Sequence, residues 1–327
     1  MISFVIQGPA KYKTSLPQFV EIGWLPQQDY TSQICIDSLR EWYPDCEIIV
    51  SCSTGDAQGL RDYDKLVYVT DDMLEHDDNV NRQILTSQAV KYATNDVVCK
   101  LRSDMVAGSN WLLPYVKSEL LGGTPYKRTE SHKMFERFVF ISNWSVDRGM
   151  YYHPSDWFFL GLKKDVESIF DIPQRVDCDW HIGPEQYIAI RLLEKYGFQE
   201  YIDYNWLENH GNINSGTPDH TPPNRECIEN WWKLFFNNFC VLNNGWFKKD
   251  KRCWRVVKYE DGSSGYVKGI KIIDKNNEEV DIDLETDHKE TLGESGLMSK
   301  KYLERVGVHR NLINHGTWLK AHEELTK

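Results

Sequence analysis

Along the first 200 residues, short apolar runs alternate with longer amphipathic ones. Ser3-Phe4-Val5-Ile6, closed by Gly8-Pro9, predicts a buried strand that opens into a loop. Thr31–Trp42 carries Ile34, Cys35, Leu39 and Trp42 at helical spacing, and Pro44 stops it. Glu47–Val50 and Leu66–Val69 predict two further strands. Asn79–Ala93 sets Ile84, Leu85, Ala89 and Val90 on one side, with Asn79 or Asn81 as its cap, and predicts a helix. Val97–Leu101 is a fourth strand running straight into Arg102-Ser103-Asp104. Strands separated by helices of this length predict βαβ units, a mainly parallel sheet and an α/β fold.

The same reading places a helix over Trp111–Leu121, ended by Gly122-Gly123, and strands over Phe138–Ile141 and Trp157–Leu160. Pro184–Tyr196 is a helix: Pro184 suits its first position, Glu185 complements the dipole and Gly197 follows its end. Beyond residue 205 the pattern changes. Residues 209–225 are rich in Asn, Gly, Pro and Thr and read as loop. Ile228–Phe239 reads as an aromatic helix, and 254–284 as a small antiparallel hairpin or meander. From Thr286 the chain is charged, with a helix near its end. The expected organisation is an α/β unit over 1–205 and an extension over 206–327 packed on it.

Composition narrows the classes. Apolar residues at 41% and charged residues at 27% exclude wholesale disorder, collagen and coiled coil. The 38 basic and 49 acidic residues leave a formal charge of −11, against a general nucleic-acid binder. The 12 Trp and 17 Tyr suit ordinary cores first and sugar stacking second. Eight cysteines without a CxxC pair fit buried free thiols in a reducing compartment. No signal-peptide pattern opens the chain and no stretch of 18 apolar residues occurs, so the expectation is cytoplasmic. Lys248-Lys249-Asp250-Lys251-Arg252, beside Trp246, Phe247 and Trp254, is a candidate for peripheral contact with a membrane; a solvated basic turn is the plain alternative.

Open parallel sheets bind ligands beyond the carboxyl ends of their strands. Gln7-Gly8-Pro9, Ser51–Thr54, Thr70–Asp72 and Arg102–Asp104 fall there. The dinucleotide and P-loop glycine patterns are absent, which disfavours a dehydrogenase and a P-loop NTPase. Asp104, at a strand end, is placed to hold a hard divalent cation against phosphate oxygens. A cap or an ion pair is the plain alternative, but Lys100, Arg102, Arg82 and Asn81 cluster around it in this topology. His153-Pro154-Ser155-Asp156-Trp157 puts a polar group at the mouth of an aromatic strand. Glu185 opens a helix, where the dipole lowers a carboxyl pKa and burial against Trp157, Tyr187 or Trp180 opposes that. His210 lies in a polar stretch, either solvated or a metal ligand.

Taken in order, Ile2–Pro9, Tyr63-Asp64-Lys65, Asn79–Gln83, Lys100–Asp104, His153–Phe159 and Pro184–Tyr187 resemble the WavE family of lipopolysaccharide-synthesis proteins. The resemblance covers roughly residues 2–200. It implies a GT-A-like fold with helices on both faces of the sheet, and glycosyl transfer from a nucleotide-sugar to a saccharide or lipid-linked saccharide. Arg102-Ser103-Asp104 then stands where such enzymes carry Asp-x-Asp, with Arg102 in place of the first acid. The implied donor-binding residues are Gln7, Gly8, Pro9, Asn81, Arg82, Lys100, Arg102 and Asp104. His153, Ser155 and Trp157 would meet the acceptor, with Glu185 the first and Asp156 the second choice for general base. Asp104 and His210 would hold Mn²⁺ or Mg²⁺. A sugar nucleotidyltransferase and a non-catalytic glycan-binding protein are the rival readings.

Overall fold

The computed structural model describes residues 1–13, 29–53, 57–76, 78–103, 105–107, 128–142, 151–176, 182–210 and 223–242, and strand segments at 247–249, 255–258, 264–267, 272–273 and 279–280. The predicted helix over 111–121 and the charged segment from 286 lie outside them. In chain order the main elements are β1 (Ser3–Gln7), β2 (Lys11–Lys13), β3 (Asp29–Thr31), α1 (Gln33–Trp42), β4 (Glu47–Ser53), β5 (Lys65–Val69), α2 (Asn79–Ser87), β6 (Val97–Arg102) and β7 (Met105–Ala107). Then follow β8 (Val139–Ser142), β9 (Phe158–Leu162), α3 (Lys163–Phe170), α4 (Pro184–Lys195), α5 (Tyr204–His210), α6 (Arg225–Asn238), β10 (Phe239–Leu242) and β11 (Phe247–Lys249).

Seven strands form one sheet in the order β10-β8-β9-β6-β1-β4-β5. β1 is buried along its whole length, as a strand covered on both faces must be. It pairs in parallel with β4 and β6, and β4 pairs in parallel with β5. β9 runs antiparallel to β6 and β8, and β10 is parallel to β8. The sheet is therefore mixed and mostly parallel. Helices cover both faces. Phe4 of β1 meets Tyr43, just beyond α1, at 5.0 Å between ring centres. Lys100 of β6 lies under Phe170 of α3, on the face where α2, α3 and α4 pack against one another.

Two features of this topology place the site. From β1 the chain moves outward to β4 and β5, then returns across β1 to β6. The strand order reverses between β1 and β6, and open α/β sheets bind their ligands beyond the carboxyl ends of the strands at such a point. Because β9 is antiparallel, its entry at Asp156–Trp157 lies beside that same end of β6; Arg102 N–H donates to Trp157 O at 3.0 Å.

The structure departs from the predicted elements in three places, and α2 is capped by Asp78, whose carboxylate accepts from Asn81 N–H at 2.7 Å, not by Asn79 or Asn81. The helix expected over Asn79–Ala93 stops at Ser87 and tightens into a 3-10 turn over Gln88–Tyr92, a common way for a helix to end. β9 passes straight into α3 with no Gly or Pro between them, so nothing in the sequence marks that helix. β10 follows α6 directly and joins the sheet edge, so residues beyond 205 contribute to the main sheet. Of the stretch over 254–284, the described segments 255–258 and 264–267 form an antiparallel pair, as do 272–273 and 279–280.

Glu47 at the start of β4 ties the amino ends of three strands. It accepts from Lys65 Nζ at 2.8 Å, from Ser3 Oγ and from Thr94 N–H at 2.8 Å. Burial pushes its pKa up, but these hydrogen bonds outweigh burial and pull it down to about 2. A folded-state value below the ordinary 4.5 means that this stabilisation is complete above the ordinary value and fades as pH falls toward the lower one. Thermal unfolding of Glu47→Gln across pH should show a lower Tm at neutrality. It should also show a flatter fall between about pH 5 and about pH 2 than the parent protein.

Candidate active site

Lys100, Arg102, Gln83, His153, Asp156 and Glu185 converge at the carboxyl end of β6. They come from β6, α2, α4 and the loop into β9. Lys100 and Arg102 are two residues apart on β6 and so share a face of the sheet. Asp156 sits in the turn into β9. Gln83 lies on the buried side of α2. Glu185 is the second residue of α4, whose start is set by Pro184 and by a hydrogen bond from Gly183 N–H to Gln186 Oε1 at 3.3 Å.

Asp156 is the hub. Its carboxylate accepts from Arg102 at 3.1 and 3.4 Å and from Gln83 Nε2 at 3.3 Å, while its main-chain oxygen accepts from Lys100 Nζ at 3.0 Å. The Asp156 side chain is 6% exposed and that of Arg102 28%, so the pair leaves part of the guanidinium turned to solvent. Lys100 is fully buried, with its ammonium 5.5 Å from the ring centres of both Phe159 and Phe170.

Glu185 reverses the expectation drawn from the helix dipole. Burial, reinforced by the neighbouring Asp156 charge and a hydrogen bond between the two carboxyl groups, lifts its pKa to about 8. The α4 backbone and Arg102 pull the other way and lose. The buried pair therefore keeps one proton well above the usual carboxylate range, with Arg102 bonded to the Asp156 carboxylate. His153 Nε2 is 3.7 Å from Glu185 Oε2. Burial lowers the His153 pKa to about 4 despite the pull of Asp156, so this ring is neutral. Its Nδ1 has no hydrogen-bond partner among the described residues.

The other candidates fall around this cluster. Gln7 lies opposite Arg102 on one side and Ser51 on the other. Gln7 Oε1 and Ser51 Oγ are buried without a hydrogen-bond partner among the described residues. Gly8, at φ 127°, turns the chain toward Pro9 and away from the strand, a conformation open to glycine. Arg82 stands by the carboxyl ends of β4 and β5, donating to Ser53 Oγ at 3.2 Å and to Asp71 at 3.0 Å. Ser155 and Trp157 are buried beside Asp156. Tyr152, Phe158 and Phe159 are buried too, so these rings act as core. Asp104 lies outside the described residues, as does the side chain of His210, whose backbone ends α5.

Asn81 is a latch. Its side chain accepts from Arg175 N–H at 2.6 Å and donates to Arg175 O at 2.9 Å and His76 O at 3.2 Å, tying α2 to the loop before α4. Gln83 is the site residue that sequence reasoning left without a role. Its signal was a polar side chain three residues after Val80, inside the apolar stripe of α2.

A divalent cation needs several free oxygen ligands. Among the described residues no three His, Cys, Asp or Glu side chains are grouped to hold one. The nearest acids, Asp156 and Glu185, are committed to Arg102 and to each other. The described donor set does not fit a metal.

The fold and site together define an α/β protein with a buried carboxyl pair and two cations at a topological switch point. The family model for WavE lipopolysaccharide synthesis matches residues 2–246, and the chain belongs to that family. The match runs on past residue 200, through α6 and β10. None of the curated proteins matches. Among solved structures, the galactosyltransferase LgtC in complex with donor and acceptor sugar analogs is similar at 11% identity and TM-score 0.34, over 75% of this chain and 74% of that one. Mouse xyloside xylosyltransferase 1 is similar at 8% identity and TM-score 0.33, over 74% and 84%. The apo glycosyltransferase GlyE of Streptococcus pneumoniae follows at 12% and 0.32, over 60% and 43%. Superpositions this loose place no residue of this chain.

Asn81→Ala removes three hydrogen bonds from a buried side chain. At about 1 kcal/mol net each, it should lower the unfolding free energy by about 2–3 kcal/mol in urea titrations.

Proposed function

We propose that the chain is a glycosyltransferase that moves a sugar from a nucleotide-sugar to a hydroxyl of a saccharide acceptor during lipopolysaccharide synthesis. The observation that carries this reading, within the family assignment, is the buried Asp156–Glu185 pair set against Arg102 at the switch point between β1 and β6. Such a transfer needs a proton acceptor at the attacking hydroxyl and positive charge at the departing diphosphate. One carboxyl group with a raised pKa and one anchored guanidinium supply both.

In this scheme the acceptor hydroxyl approaches ionised Glu185. Its oxygen bonds to the anomeric carbon as the bond from that carbon to the diphosphate oxygen breaks. The proton passes to Glu185, and the electron pair leaves with the nucleotide. Arg102 and Arg82, each with 28–30% of its side chain exposed, face the diphosphate charge. Asp156 orients Arg102 and does not itself take the proton. Single displacement of this kind inverts the anomeric centre. The acceptor is a saccharide, free or lipid-linked. A lipid-linked one would bring a cytoplasmic enzyme to the inner face of a membrane. Among the described residues no helix is long and apolar enough to cross one.

Incubation with a panel of nucleotide-sugars should release free nucleoside mono- or diphosphate. Pyrophosphate-dependent release of a triphosphate would instead mark a nucleotidyltransferase, and no release with any donor a binding protein. Turnover should rise with pH as Glu185 loses its proton, with a midpoint near 8. Glu185→Gln should lower turnover by roughly 10²–10⁴-fold with donor affinity nearly unchanged. Asp156→Asn should chiefly weaken donor binding, because Arg102 loses its anchor. Near-normal turnover in Glu185→Gln with none in Asp156→Asn would exchange the two roles.

A further inference from the structure

A lysine in the middle of a buried strand calls for a reason. Val97-Val98-Cys99-Lys100-Leu101 is otherwise apolar, and methionine would fill the space without burying a charge. Lys100 is 0% exposed, so its ammonium does not reach a ligand beyond the strand ends. It donates instead to the main-chain oxygen of Asp156 at 3.0 Å, while Arg102 and Gln83 hold that residue's carboxylate. Two aromatic faces, Phe159 from β9 and Phe170 from α3, cover the ammonium.

We propose that Lys100 is a positioning residue of this site: its buried ammonium fixes the Asp156 turn against β6 and supplies the positive charge that allows Glu185 to ionise. This rests on the reading of Glu185 as proton acceptor and assigns Lys100 a part other than donor contact. The charge count gives the reason. With Glu185 protonated and His153 neutral, the cluster holds Lys100, Arg102 and Asp156, one net positive charge. Ionising Glu185 brings it to zero. Without Lys100 the same step would leave a net negative charge in a buried place, which is far costlier.

The groups that reach Lys100 electrostatically are Asp156, Arg102, Glu185 and the Cys99 thiol. Those that reach Glu185 are Asp156, Arg102 and, by the reciprocal of its own pull on Lys100, Lys100, with His153 in contact. Burial lowers the Lys100 pKa, and the upward pull of Asp156 and of Glu185, which grows as Glu185 ionises, holds the ammonium charged against it. The Lys100–Glu185 interaction is mutual, so each ion favours the other.

Carbon-13 NMR titration of the Glu185 carboxyl tests this without donor, acceptor or turnover. In Lys100→Met the Glu185 midpoint should rise by about one unit or more relative to wild type. The acid limb of turnover against pH should move up with it and rate should recover at high pH. In the converse measurement, nitrogen-15 titration of Lys100 in Glu185→Gln should show its midpoint falling. That variant serves if Lys100→Met does not fold. An unchanged midpoint in either titration overturns the proposal, even if Lys100→Met is less stable. Failure of the transferase reading is distinguishable, because nucleotide release would then be absent while both titrations still shifted.

Discussion

The site depends on the ion pair between Arg102 and Asp156. A half-covered guanidinium and an almost fully covered carboxylate sit 3.1 Å apart at the end of a buried strand. The carboxylate would not be tolerated there alone, since an unpaired buried charge costs several kcal/mol. Once the pair exists, Asp156 is held as an anion. A second carboxyl group packed against it then keeps its proton until pH rises well above the usual carboxylate range. The chemistry proposed for Glu185 is thus a consequence of the charge beside it and of its burial.

The fold builds this pair from elements distant in sequence. Parallel β1 and β6 carry Gln7 and Arg102 to the same level of the sheet. The reversed direction of β9 returns Asp156 to the end of β6. α4 begins at that point because Pro184 and Gln186 start it there, which brings Glu185 in at the second helical position. α2 adds Gln83 from above, and Asn81, two residues earlier, locks that helix to the loop leading to α4. The position of strand ends, and the absence of a Gly-rich phosphate loop, leave charge neutralisation to side chains.

Much of this was legible in the sequence. The apolar runs at β1, β4, β5 and β6 and the Pro184 helix start were plain from pattern, because each is a local signal. Arg102, Asp156, His153 and Glu185 stood out as polar groups at element ends. What pattern left open was geometric. A buried strand is apolar on both faces, so period-two alternation could not tell whether Lys100 faces ligand or core. The dipole argument for Glu185 had the right ingredients, yet its outcome turns on how deeply Asp156 and α4 are covered, which only tertiary packing decides. β10 lay hidden because Phe239 keeps helical spacing from Phe235 across Asn237-Asn238, so the pattern carried the helix one residue into the strand.

The central claim is that Glu185 and Asp156 form one buried acid pair that holds a proton at neutral pH. Carbon-13 NMR titration of the Glu185 carboxyl in the wild-type protein measures this directly. The account predicts a midpoint near 8, with no carboxylate signal from Glu185 dominating at pH about 6. A midpoint near the ordinary value of 4.5 would contradict it.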